Sequence, residues 1–307
     1  MGPLLFIVGP TGVGKTALAL SLARRFQGEI INADSRQVYR LMDIGTAKPT
    51  PEERAQAQHH LLDIRDPDDN FDLACFLSLA KRAIGAARSR GHLPIAVGGT
   101  GQYVWALLEG WEVPEVAPDL AFRDARQREA QQHGPLFVHR QLAELDPDRA
   151  AALDPHNLRR VVRALEIYHS TQRRPSDLAK QAKPMADALV IGLTLDREAL
   201  YRRIDERVDR MMAAGFLEEV QRLAAQGYQP GRGPLAGPGY RELGQYLAGQ
   251  MTLDEAVQRT KFQTHRLARR QYTWFKLDDP RIKWLEADGP GIEDQAAVLV
   301  EKFLSAN

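Results

Sequence analysis

The stretch Gly9-Pro10-Thr11-Gly12-Val13-Gly14-Lys15-Thr16 constrains this chain more than any other. It fits the spacing G-x-x-x-x-G-K-[ST]. The continuous apolar run Leu4–Val8 precedes it, and Ala17, Leu18, Leu20, Leu22 and Ala23 follow at helical intervals. An apolar run that enters a glycine turn reads as a buried parallel strand, and a helix opening straight after the turn makes an anion cradle. Glycines let backbone amides wrap a phosphate, and the helix N-terminus adds its dipole. Lys15 supplies a point charge, and Thr16 offers a hydroxyl to a Mg²⁺ ion that bridges phosphate oxygens. The pattern asks for a polyphosphate and leaves its identity open between a nucleoside triphosphate and a diphosphate ester.

The rest of the chain extends the same architecture. Glu29–Asn32, Leu93–Val97, Ala188–Leu195 and Ile282–Leu285 read as strands, and Phe71–Arg90 reads as an amphipathic helix between the second and third of the chain's strands. Strands alternating with helices predict an α/β fold, a parallel sheet covered on both faces. Pro114 and Pro118 bracket a linker, and 120–181 carries helical patterns with no convincing strand. The expected organisation is a core of residues 1–112 and 188–307, interrupted by an all-helical insertion at 113–187. A long helix over Arg197–Gln226 and two more over Tyr240–Gln250 and Leu253–Phe275 complete the expectation.

Lys plus Arg number 41 against 40 Asp plus Glu in 307 residues, so any attraction to a polyanion has to be local. The single cysteine, Cys75, excludes an intramolecular disulfide and a thiolate metal cluster. Leu4–Val8 is too short for a signal-peptide core, and no apolar run is long enough to span a bilayer. A soluble cytoplasmic protein, monomeric in its simplest form, is expected.

Three further features bear on chemistry. Asp34 lies just past the second strand, in Ala33-Asp34-Ser35-Arg36-Gln37, at the sheet edge where open α/β proteins bind ligands. It can serve as a general base beside a phosphate ester or as a helix N-cap. Gly98-Gly99-Thr100-Gly101 follows another strand, bringing backbone close to a ligand and presenting the Thr100 hydroxyl. Basic residues then cluster twice. Arg259, Lys261, Arg266, Arg269, Arg270 and Lys276 interleave with Phe262, Tyr272, Trp274 and Phe275, and His156, Arg159, Arg160 and Arg163 share an insertion helix. Cations neutralise phosphate backbones and aromatic rings stack on unpaired bases. Asp68-Asp69-Asn70-Phe71-Asp72 has the spacing of a diphosphate-binding acidic cluster, but Pro67 puts it in a loop and no second cluster faces it. His59-His60 reads as a structural pair.

Together these segments resemble the tRNA dimethylallyltransferase family, also called tRNA isopentenyltransferases. The resemblance is carried by Gly9–Thr16, Asp34–Tyr39, the 43–49 stretch Asp43-Ile44-Gly45-Thr46-Ala47-Lys48-Pro49, Val97–Tyr103, Arg159–Glu166, Gly239-Tyr240-Arg241 and Arg270–Phe275. Gly12-Val13, Gln102, Asp154–Asn157 and the Gly- and Pro-rich 231–238 stretch depart from the common family wording. The resemblance implies a core similar to P-loop nucleotide kinases and an insertion that grips the anticodon stem. It implies transfer of a dimethylallyl group from its diphosphate to N6 of the adenosine 3′-adjacent to the anticodon, with Mg²⁺ as cofactor. The nest of Gly9, Pro10, Thr11, Gly12, Val13, Gly14, Lys15 and Thr16 then holds the leaving diphosphate. Asp34, Thr100 and Arg123 would face the reacting groups, and Ser35, Arg36 and Gln37 would hold the extruded base. Arg159, Arg160, Val161, Val162, Arg163, Tyr240, Arg241, Arg270 and Trp274 fall on the implied tRNA surface. A small-molecule kinase would use Lys15, Thr16 and Asp34 equally well but leaves both basic clusters idle. A non-catalytic RNA-binding module uses those clusters and gives Asp34 no task.

Overall fold

The computed structural model describes residues 2–114, 116–180 and 187–306. The first half of the core runs β1 (Leu4–Val8), α1 (Lys15–Arg25), β2 (Gly28–Asn32), α2 (Pro51–Arg54), β3 (His59–His60), α3 (Leu73–Ser89), β4 (Leu93–Val97) and α4 (Gly101–Leu108). Helices α5 (Leu120–His133), α6 (Pro135–Leu145), α7 (Pro147–Ala151), α8 (Leu158–Thr171) and α9 (Pro175–Lys180) follow. The core then resumes with β5 (Ala188–Thr194), α10 (Arg197–Ala213), α11 (Phe216–Ala225), α12 (Tyr240–Leu247), α13 (Leu253–Trp274), β6 (Ile282–Glu286) and α14 (Ile292–Ser305).

The six strands form one parallel sheet in the order β3-β2-β4-β1-β5-β6. All five residues of β1 are buried, as a central strand covered on both faces requires. Leu5, Ile7, Ile30, Ile95, Ile191 and Leu193 from four strands pack with Leu18, Leu22, Ile204 and Val300 from the helices. Register matters for function here. Ile7 and Asn32 both pair with Val97, so β2, β4 and β1 end level with one another as adjacent strands. Their three exit loops, 9–14, 33–37 and 98–100, therefore emerge together at the carboxyl edge of the sheet.

The chain divides into two compact units, one of Met1–Asp72, Phe76–Trp105 and Ala186–Asn307, the other of Leu73–Cys75 and Ala106–Met185. The second unit has its own core, in which Val138, Leu142, Val161, Val162 and Leu165 pack together. Among the described residues it contains helices and no strand.

Three elements differ from expectation. The single helix expected over Arg197–Gln226 is broken after Ala213, where Gly215 takes a left-handed conformation (φ 97°) that starts α11 and buries Phe216. The β3 strand is only two residues long, an edge strand below the length at which alternation can be read, and α14 is a further helix outside the expected set. His60 of β3 bonds the buried Glu29 at 2.6 Å, and His59 contacts the Ala57 carbonyl. Asp68 and Asp69 lie in the loop before α3. No described helix is long and apolar enough to cross a membrane.

Candidate active site

The loop after β1 is shaped by glycines, by close approach at Gly9 and by backbone conformation at Gly14. Gly9 has φ 137°, and a Cβ there would lie 2.4 Å from the Leu193 carbonyl oxygen. Gly14, at φ 106°, is the residue before α1, so the loop ends on that helix's free amides. The Val13 side chain is buried beneath the loop. Lys15 folds back over it, its Nζ donating to the Gly9 carbonyl at 3.0 Å and the Pro10 carbonyl at 2.8 Å. Burial lowers the Lys15 ammonium to about 8, against the attraction of Asp34 and with the repulsion of Arg207 adding to the fall. A desolvated cation inside a nest of amides is a site built for an anion. Thr16 is in the first turn of α1, so its hydroxyl belongs to the same loop-helix junction.

The loop after β2 carries Asp34. One of its oxygens, Oδ1, accepts from the Arg36 backbone N–H at 2.8 Å, closing a turn on itself. No helix follows, so the helix-cap reading gives way to a local turn that uses one carboxylate oxygen. Among the described residues Asp34 makes no ion pair, and its Oδ2 takes no hydrogen bond. The Ser35 backbone N–H donates to Thr100 Oγ1 at 3.0 Å, which joins this loop to the one after β4. That contact uses a lone pair of the hydroxyl and leaves its proton to donate. The close approach is why Gly98 is a glycine: a Cβ there would fall 2.2 Å from the Ala33 carbonyl oxygen.

The remaining residues of the 34–37 turn are partly engaged. Gln37 donates to the Thr46 and Ala47 carbonyls at 3.1 and 3.0 Å, so its amide protons brace the 43–49 segment. Arg36 reaches the Gly233 carbonyl at 3.3 Å, and burial lowers its guanidinium below the ordinary value against the pull of Asp34. The 43–49 segment rests on Glu219, whose carboxylate accepts from the backbone N–H groups of Asp43, Ile44 and Gly45 at 2.9, 2.7 and 3.1 Å. Lys48, buried, ties Asp43 to Asp63 at 2.7 and 2.6 Å.

The structure reassigns several residues expected on the RNA surface. Tyr240 is buried and donates its hydroxyl to Glu219 at 2.6 Å. It packs edge-on against Phe216, so it supports the 43–45 turn and has no face for a base. Val161 and Val162 are buried in the core of the helical unit, out of reach of a polyanion. Arg241 pairs with the buried Glu242 at 2.6 Å but stays exposed, so its place on the expected surface is unchanged. Trp274 packs against Gly101, where an added Cβ would lie 2.3 Å from the indole. Within the helical unit, Arg123 closes its guanidinium fork on Glu166 at 2.8 Å through both Nε and Nη2, and Arg163 reaches the same carboxylate at 2.5 Å. The Asp119 backbone N–H completes that set at 2.8 Å. The charge of Arg123, expected beside the substrate, is thus neutralised inside its own unit. Arg159, Arg160 and Arg270 are exposed cations, as expected.

Sequence reading missed two residues of this site. Arg207, on α10, is half-buried, close enough to Lys15 to help lower its ammonium and close enough to Asp34 to feel its attraction. Burial lowers its guanidinium below the ordinary value, and Asp34 opposes that. Gln271, on α13, bridges the first and third loops, and no local motif marks it. Lys15, Arg207 and Asp34 thus put two cations and one unpaired carboxylate at one sheet edge.

The IPP transferase family profile matches residues 37–278, and an isopentenyl transferase profile matches 3–69. The chain belongs to the IPP transferase family. It is 50% identical over 306 residues to a tRNA dimethylallyltransferase of Roseiflexus sp. (strain RS-1), with 100% of both chains covered. It is 48% identical to one from Thermomicrobium roseum, over 98% of this chain and 92% of that one. The full-length tRNA isopentenylpyrophosphate transferase of Bacillus halodurans superposes with a TM-score of 0.74 at 37% identity, covering 100% of this chain and 98% of the other. A eukaryotic dimethylallyltransferase acting on tRNA gives a TM-score of 0.86 at 30% identity, over 100% of this chain and 80% of its own. The resemblance read from the motifs, and the parallel α/β fold it implied, are both borne out in this IPP transferase family member.

Proposed function

We propose that the protein transfers a dimethylallyl group from dimethylallyl diphosphate to N6 of the adenosine just 3′ of a tRNA anticodon, releasing diphosphate. The observation that carries this reading is the juxtaposition at one sheet edge: an anion nest with a desolvated lysine, and beside it a carboxylate with one unused oxygen. Adenine N6 is a poor nucleophile because its lone pair is delocalised into the ring. Asp34 Oδ2 accepts an N6 proton as the N6–carbon bond forms and the carbon–oxygen bond to diphosphate breaks. The allylic carbon carries positive charge in that transition state, so stabilising the departing diphosphate is the larger task. Lys15, the loop amides and Arg207 supply it. Thr100, whose hydroxyl keeps its proton, is placed to hold the extruded base, with Ser35 and Arg36 lining the same turn.

Thr16 contributes a hard oxygen donor of the kind Mg²⁺ takes, with diphosphate oxygens and water completing the shell. Among the described residues no group of three His, Cys, Asp or Glu side chains could hold a metal, so a metal here would depend on the substrate's own oxygens. Bound there, Mg²⁺ would neutralise charge on the leaving group. Exposed Arg159, Arg160, Arg266, Arg269 and Arg270 suit tRNA phosphates, and the helical insertion would grip the anticodon stem. One chain carries the nest, Asp34 and Thr100, so a monomer in the cytoplasm, where tRNA and donor meet, suffices. Mass spectrometry of nucleosides from tRNA incubated with the protein, dimethylallyl diphosphate and Mg²⁺ tests the proposal. A single C5H8 addition to adenosine is expected; phosphoryl transfer from labelled ATP to a small acceptor, without that product, would overturn it.

A further inference from the structure

Gln271 is buried on α13 with both ends of its side-chain amide in use. Its Oε1 accepts from the Thr11 backbone N–H at 2.7 Å, and its Nε2 donates to the Gly99 carbonyl at 3.0 Å. Thr11 belongs to the anion nest. Gly99 precedes Thr100, whose hydroxyl receives the Ser35 N–H beside Asp34. A Cβ added at Gly99 would stand 2.0 Å from Gln271 Nε2, so a side chain there would push the amide off its carbonyl. One side chain therefore spans from the loop that holds the leaving group to the loop that holds the base. Its helix exposes Arg266, Arg269 and Arg270 on another face.

We propose that Gln271 is a positioning residue that fixes the spacing between the diphosphate nest and the acceptor-base loop by bonding Thr11 and Gly99 at once. The assignment deepens the function proposed above and rests on it. Gln271 touches neither substrate; it acts through the orientation of the Thr11 peptide and the Gly99-Thr100 turn. The Thr11 amide is turned onto Gln271, so the nest's remaining amides are those aimed at the anion. A side chain that does this must accept at one end and donate at the other. Glutamine does so at any pH. A glutamate does so only when protonated, because an ionised carboxylate repels the Gly99 carbonyl. Burial raises the carboxyl's pKa, which brings protonation within a workable range.

The test compares wild type, Gln271→Glu and Gln271→Met, with donor kinetics, tRNA Kd and Tm measured for each. At pH 8, Gln271→Glu is expected to lower kcat/KM for dimethylallyl diphosphate by about 10- to 100-fold, with tRNA Kd within about twofold of wild type. At about pH 5.5 the deficit relative to wild type should shrink to about threefold or less, as the protonated acid restores both bonds. Lys15, Asp34 and Arg207 face the same region, so the ratio of variant to wild type at each pH is the quantity read. Gln271→Met, with no polar end, should show the deficit at every pH. Calorimetry with inorganic diphosphate gives a readout that needs no turnover: both variants should bind it more weakly at pH 8. A pH-independent ratio, or wild-type kinetics in Gln271→Met, would overturn the assignment. So would unchanged diphosphate affinity in both variants. Wild type that binds diphosphate but alkylates no tRNA would sink the function proposed above, and this assignment with it.

Discussion

Asp34 and Glu166 are both carboxylates with arginines nearby, and the protein treats them in opposite ways. Glu166 is buried and saturated: Arg123 closes on it through two nitrogens, Arg163 adds a third and the Asp119 amide a fourth. Burial pushes its carboxyl up, but Arg123 and Arg163 hold the net value below the ordinary one. Asp34 has two cations close by, Lys15 and Arg207, and pairs with neither among the described residues. Its one firm partner is a backbone N–H two residues on. A saturated carboxylate fixes a fold, and a carboxylate left short of partners beside desolvated cations holds chemistry in reserve. The difference separates a structural cluster from a functional one more sharply than residue type does.

The largest expected effect falls on the unsaturated member. Asp34→Asn keeps the shape and removes the base, so kcat should fall by about 10²–10⁴ with tRNA Kd little changed. A variant that turned over normally would place Asp34 with the structural carboxylates. Next, Lys15→Ala should raise the donor KM and lower kcat/KM for the donor by about 10²–10³, since an anion in the nest loses its nearest charge. The same lysine gives a pH dependence in wild type. Its value of about 8 means the free protein loses this proton as pH rises through 8, so donor affinity should decline above that pH.

On the saturated side, Glu166→Ala removes the buried carboxylate on which Arg123 and Arg163 converge. Unfolding should become easier by about 3–5 kcal/mol, read as a lower midpoint in denaturant. Glu29 sharpens the point with a smaller effect. Hydrogen bonds from Arg90 bring its carboxyl from 4.5 to about 2 despite burial, with His60 and His92 assisting. A carboxyl lowered on folding stabilises the native state above pH about 4.5, and that stability is lost as pH falls towards about 2. Glu29→Gln should abolish about 3 kcal/mol of this acid-sensitive stability, visible as a flatter dependence of denaturant midpoint on pH.

What the sequence showed was what is local. The nest is contiguous from Gly9 to Thr16, and Asp34 and Thr100 each follow a readable apolar strand, so three loops at one sheet edge could be anticipated. Partnership could not. Arg123 and Arg163 looked like free cations until Glu166 was seen between them, and Arg207 sits on a helix dense in charge where nothing local sets it apart. Gln271 lies 260 residues from Thr11, a pairing only the folded sheet creates. Val161 and Val162 were placed on the RNA surface because their segment matched the family. Their helical spacing with Leu165 already described a buried stripe, and that signal outranks the match. Tyr240 was misplaced for a related reason: a matched segment does not say which side chains face water.

The central claim is that the unpaired oxygen of Asp34 faces the reacting amine while the nest holds the diphosphate. It is tested most directly by a crystal structure with an unreactive sulfur-bridged donor analogue and an anticodon stem-loop. The account predicts the diphosphate oxygens on the amides of the 9–16 loop with Lys15. It also predicts the adenine N6 at roughly 2.6–3.2 Å from Asp34 Oδ2, on the side of the allylic carbon. Diphosphate bound elsewhere, or Asp34 Oδ2 turned onto Arg207 with N6 out of reach, would contradict it.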